Sequence, residues 1–199
     1  MRADGIVFGI AGILFGVIVG WVLGSQQAAG TARLAAPVAQ AAPAQQQPAT
    51  PPAAAPVDPA RVKALEEAAA QNPKDLQTRI QLGNLFFDGE RYSDAIKWYE
   101  QAVALNPGDT NVSTDLGVAY YYTNQPDRAL AQLDHSLSID PKHIKTLLNV
   151  GIVRAFGKQD LAGAGKAWQQ VVDLAPNSPE GQAAKKGLEG IKSASSGAK

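Results

Sequence analysis

Side chains able to move a proton, hold a metal or attack a carbonyl are scarce here. The chain of 199 residues has two histidines, His135 and His143, and no cysteine, which excludes thiol catalysis, thiolate metal sites and a disulfide framework. Neither histidine stands beside a second ligand at useful spacing. Asp134, His135 and Ser136 are the residue types of a hydrolytic triad, but adjacent residues on a helix point about 100° apart and cannot form a relay. Gly163, Gly165 and Lys166 have the spacing of part of a phosphate loop. The position five before Gly165 is Asp160, however, and Ala167 stands where a Ser or Thr would hold magnesium. The chemistry on offer is therefore non-covalent, and neither an enzyme nor a cofactor nor a metal centre is expected.

The elements that could position a binding surface lie in one part of the chain. Of 18 basic and 18 acidic side chains, only Arg2, Asp4 and Arg33 precede residue 58, so only the last part can build a water-soluble core. Its near-neutral balance gives no basic field for phosphates, and nucleic acid is not an expected partner.

From Gly5 to Gly24 the sequence is apolar and uncharged, long enough as a helix to cross a bilayer core of about 30 Å. A cleavable signal peptide would have a shorter apolar region of about 7–15 residues after a clearly positive start; here Arg2 is offset by Asp4. The expectation is an uncleaved transmembrane anchor over 1–24. The free amine and Arg2, set against the more distant Arg33, place the N-terminus in the cytoplasm and the rest across the membrane, in the periplasm of a diderm cell. Gly12, Gly16, Gly20 and Gly24 repeat every four residues and form a smooth face suited to packing against another membrane helix, including a second copy of this one. Residues 25–57, rich in Ala, Pro and Gln, cannot bury a core and are expected to be a disordered spacer.

Internal periodicity organises the remainder. Pro73, Pro107, Pro141 and Pro176 recur at near-constant spacing. Aligned on them, Leu82-Gly83, Phe86, Ala95, Tyr99 and Ala102 correspond to Leu116-Gly117, Tyr120, Ala129, Leu133 and Ser136. The third set is Val150-Gly151, Arg154, Ala164, Trp168 and Val171. Small residues are needed where two helices cross, and large ones fill the space beside the crossing. This pattern resembles the tetratricopeptide repeat family over about residues 60–192. The resemblance implies an all-α, right-handed solenoid: a half-repeat at 58–72, repeats at 73–107, 108–141 and 142–176, a polar capping helix at 178–191, and a frayed tail at 193–199. The third unit carries one extra residue in its inner turn and should be the least regular. Arg154, standing where the other units have an aromatic, should turn outward or pair with Asp160.

In such proteins the first helices line a concave face. Carried over residue by residue, the ligand-facing positions are Gln77, Ile80, Asn84, Phe87 and Asp88 in unit one. They are Asn111, Thr114, Val118, Tyr121 and Tyr122 in unit two, and Lys145, Leu148, Asn149, Ile152 and Phe156 in unit three. The groove so defined is apolar and aromatic with amides interspersed, and suits an amphipathic helix or extended peptide. Tyr121 and Tyr122 are the best anchors, because two adjacent rings on a helix cannot face the same core. For Ile80, Val118, Leu148 and Ile152, packing between helices is an equal alternative. The version of the family that clamps C-terminal carboxylates is matched at Asn84 and Lys145 only. Ile80, Asp115 and Asn149 stand where it has Lys, Asn and Arg.

Anchor, spacer and repeats together point to a membrane-bound adaptor or scaffold that holds a protein partner in its groove, in the assembly of an envelope complex. The segment from Ala167 to Pro179 resembles the repeat domains of c-type cytochrome assembly proteins that capture apocytochromes, which makes such a factor the more specific alternative. A self-assembling structural scaffold is the other.

Overall fold

The computed structural model describes residues 56–196, all within one compact unit spanning Ala54–Lys199. The expected membrane anchor, its glycine face at Gly12, Gly16, Gly20 and Gly24, and the spacer up to residue 55 lie outside these residues; Val57, at the end of the expected spacer, packs against the core. Among the described residues no helix is long and apolar enough to cross a membrane.

Eight helices and no strand are present among the described residues: α1 (Pro59–Gln71), α2 (Leu76–Asp88), α3 (Tyr92–Leu105), α4 (Thr110–Tyr122), α5 (Pro126–Ile139), α6 (Ile144–Ile152, continuing as a π turn over Val153–Gly157), α7 (Leu161–Leu174) and α8 (Pro179–Ser196). They pack chiefly as sequential neighbours in antiparallel pairs, α2 with α3, α4 with α5 and α6 with α7, so each pair buries its apolar face against the next.

Local chemistry sets the helix starts. Asp58 caps α1 ahead of Pro59, its carboxylate accepting from the Ala60 amide at 2.9 Å. Asp75 accepts from the Thr78 amide at 3.1 Å, Asp109 from those of Asn111 and Val112, and Asp160 from that of Gly163 at 2.8 Å. His143 occupies the corresponding position before α6, where no side chain caps the helix. Its Nδ1 lies 2.6 Å from the Thr146 hydroxyl instead.

The crossings follow the aligned landmarks. A Cβ on Gly83 would overlap the Tyr99 ring, and one on Gly151 the Trp168 indole; on Gly117 it would come within 2.9 Å of Leu133. Ala95, Ala129 and Ala164 are fully buried beside them. Trp168 is enclosed from a second side by Gly187 of α8, and its indole N–H donates to the Leu148 carbonyl at 3.1 Å. Arg79 is buried, but satisfied: its guanidinium donates to the Asp75 and Asn72 carbonyls at 2.8 and 3.3 Å, closing the turn after α1.

The irregularity of unit three has a defined seat. In units one and two the inner turn closes through Arg91 N–H to Phe86 C=O and Gln125 N–H to Tyr120 C=O. In unit three the equivalent bond runs from Asp160 N–H to Arg154 C=O, one residue longer. The extra residue is absorbed by the π turn, the usual consequence of inserting one residue at a helix end. Arg154 pairs with Asp160 at 2.9 Å as expected. At the other end α8 runs to Ser196, five residues past the expected end at 191, and Lys185 donates to the Pro176 carbonyl at 2.8 Å.

Candidate functional site

The short first helices α2, α4 and α6 each present one face on the same side of the stack. Gln77, Asn84, Asp88, Asn111 and Lys145 are exposed there. Ile80, Phe87, Val118, Tyr121, Tyr122, Asn149 and Phe156 are half-buried, as expected of side chains that line a concave surface.

Three expected groove residues are not part of that surface. Thr114 is fully buried: its hydroxyl donates to the Thr110 carbonyl at 2.6 Å and meets the Thr146 and Ser136 hydroxyls at 2.6 and 3.2 Å. The hydroxyl cluster fills the junction of α4, α5 and α6, where a chain passing through the groove cannot reach. Leu148 and Ile152 are 8% exposed each, because the α6–α7 pair draws them inward. For these two the packing alternative holds.

The polar floor is internally organised. The Tyr99 phenol reaches across from α3 and donates to Asn84 Oδ1 at 2.7 Å. Asp115, on α4, pairs with Lys145 of α6 at 2.5 Å, and Asn149 Nδ2 donates to the Lys145 carbonyl at 2.8 Å. Burial pushes the Asp115 carboxyl above the ordinary value, with Lys145 opposing. Burial likewise raises the Asp88 carboxyl, opposed by Arg61 and reinforced by Asp115.

An aromatic run occupies the inner-turn edge of the face. Phe87 meets Tyr92 and Tyr122 edge-on, at ring-centroid distances of 5.2 and 5.6 Å. Tyr92 stacks on Tyr122 at 4.4 Å. Tyr121 lies 5.9 Å from Tyr122 and turns toward Gly157 of the π turn. The run therefore joins units one and two and touches unit three at Gly157. Burial raises the phenol pKa of Tyr122 to about 12 and raises that of Tyr121 too, so both stay neutral donors. Sequence reasoning missed Tyr92, which begins a second helix and not a first; its one signal is its place directly after an inner turn.

His135, Ser136 and Gly163 are engaged within the fold. Exposed His135 has its Nε2 3.3 Å from the Pro107 carbonyl, while Ser136 belongs to the buried hydroxyl cluster. The Gly163 amide, in the phosphate-loop-like segment, is taken by Asp160. Among the described residues no group of three or more His, Cys, Asp or Glu could hold a metal.

The geometry defines a class first: a solenoid of antiparallel helix pairs. Residues 83–124 match the family model for the TPR repeat. Solved structures agree in fold. The first TPR domain of human RPAP3 is 24% identical with a TM-score of 0.57, over 63% of this chain and 96% of that one. The first TPR of Spaghetti (RPAP3), bound to the HSP90 peptide SRMEEVD, is 24% identical with a TM-score of 0.53, over 70% and 97%. The Yersinia enterocolitica type III secretion chaperone SycD, in complex with a peptide of the translocator YopD, is 22% identical with a TM-score of 0.55, over 59% and 92%. No curated protein matches the chain. The fold is that of tetratricopeptide repeats.

Its resemblance to cytochrome assembly proteins rests on residues 167–179. The most distinctive of these, Trp168, is buried between Gly151 and Gly187 and serves packing.

Proposed function

We propose that this protein is a membrane-anchored, non-catalytic adaptor whose repeats hold a segment of a protein partner in the groove of α2, α4 and α6. The observation that carries the reading is the half-buried aromatic run from Phe87 to Tyr121, which joins units one and two on one edge of that face and abuts unit three at Gly157. Aromatic side chains bring large contact area at small entropic cost and dominate such interfaces. Peptide complexes of the RPAP3 repeat and of SycD support the mode of binding. The apolar stretch Gly5–Gly24 supports an anchor with the repeats on the far side of the membrane, and the glycine spacing there supports pairing with another membrane helix.

The test is in-cell crosslinking from a photoreactive residue at Tyr121, with exposed Lys97 of α3 as control. A reproducible foreign partner at Tyr121 alone is expected. Crosslinks only between copies of this chain, or a pattern shared with Lys97, would move the reading to a self-assembling scaffold.

A further inference from the structure

Of the two charged side chains at the groove positions, Asp88 alone makes no ion pair among the described residues, whereas Lys145 is paired with Asp115. From this we infer that the segment this groove takes is basic, a Lys- or Arg-bearing stretch set among apolar residues, and not an acidic tail. The inference deepens the groove reading and rests on it.

Asp88 is the last residue of α2, so its carboxylate stands at the negative end of the helix dipole, while the Leu85, Phe86 and Phe87 carbonyls are taken by the amides of Gly89, Arg91 and Glu90. It is exposed and makes no hydrogen bond or ion pair with any described residue; its charged form is disfavoured by burial and by Asp115, and only Arg61 offsets this. A cation arriving there would pair with the carboxylate and be favoured by the helix dipole. Phe87 precedes Asp88 and begins the aromatic run, so apolar neighbours of that cation meet rings.

An acidic segment finds the opposite. Lys145 is the one cation among the carried-over groove positions, and Asp115 already holds it at 2.5 Å. Ile80 and Asn149 stand where a carboxylate-clamping repeat has Lys and Arg, so no second cation supports it. A carboxylate arriving at Lys145 would share it with Asp115, whose negative charge opposes it.

The test uses the full-length chain in lipid nanodiscs and fluorescence anisotropy with four probes: the acidic peptide SRMEEVD, and three 12-residue peptides of one apolar pattern carrying Lys, Gln or Glu at their polar positions. The Lys peptide is expected to bind roughly tenfold tighter than the Gln peptide, the size of one charge-assisted hydrogen bond. The Glu peptide and SRMEEVD should bind more weakly than either. Asp88→Asn should bring the Lys and Gln peptides to within about twofold, whereas Tyr121→Ala should weaken all alike. Val118→Ser, one turn earlier on the same helix, serves the same purpose should Tyr121→Ala disturb the fold. Equal binding of Lys and Glu peptides, with Tyr121 or Val118 still required, would overturn the charge inference and leave the groove standing. An unchanged Lys-to-Gln ratio in Asp88→Asn would also overturn it. Binding indifferent to both Tyr121 and Val118 would overturn the groove reading itself.

Discussion

Tyr122 at the end of α4 stacks on Tyr92 at the start of α3, with ring centroids 4.4 Å apart and planes 12° apart. The contact ties unit two to unit one at the inner-turn edge, beside the face assigned to binding. A stacked pair of this kind contributes about 0.5–1.5 kcal/mol beyond its buried area. A double-mutant cycle of Tyr92→Leu and Tyr122→Leu, read by urea unfolding, should show coupling of that size. Strict additivity would mean that the rings share a surface without stabilising one another.

The glycine crossings should differ in cost. Gly83→Ala and Gly151→Ala drive a methyl into the Tyr99 ring and the Trp168 indole, rigid groups enclosed on several sides; each should destabilise by about 1–3 kcal/mol. Gly117→Ala places its methyl 2.9 Å from Leu133 Cγ, and a leucine can change rotamer, so its cost should be smaller. Chemical denaturation of the three variants checks the order, and Gly117→Ala proving the worst would contradict it.

His143 leaves α6 without the carboxylate cap that Asp75 and Asp109 give α2 and α4. His143→Asp should therefore stabilise the fold by about 0.5–1 kcal/mol, less whatever the lost contact with Thr146 contributed. In parallel, Asp109→Ala should cost about 1 kcal/mol. Thermal melts of the two variants should move in opposite directions.

Stability should depend on pH through Asp88 and Asp115, whose carboxyls are raised above 3.8, largely by burial. The folded state holds those protons more tightly than the unfolded chain, so stability falls as pH rises from the ordinary Asp value through the raised ones. Asp88→Asn should match the parent below about pH 3.8 and melt higher than the parent near neutrality. Asp75, Asp94 and Asp160 have the opposite sign. The Thr78 hydroxyl lowers the first, Lys97 the second and the Gly163 amide the third, so their contribution is present above 3.8 and is lost as pH falls through the lowered values. An Asp88→Asn melt that tracked the parent at every pH would show that this carboxylate is not strained by the fold.

What was legible in the sequence is what short-range chain chemistry controls. The proline spacing and the recurrence of small crossing residues (Gly83, Gly117, Gly151) with large ones (Tyr99, Leu133, Trp168) could be read directly, because each unit packs mainly against itself and its sequence neighbour. The longer third unit and the Arg154–Asp160 pair followed from counting residues. Tertiary structure alone decided which positions on the first helices stay open. Thr114, Leu148 and Ile152 share the helical register of the groove, but whether a face is covered depends on how closely the next pair approaches, and that distance is not written in either helix. For the same reason Tyr92 joined the aromatic edge unannounced: its partner Tyr122 lies on another helix, and only the folded stack brings the two rings together.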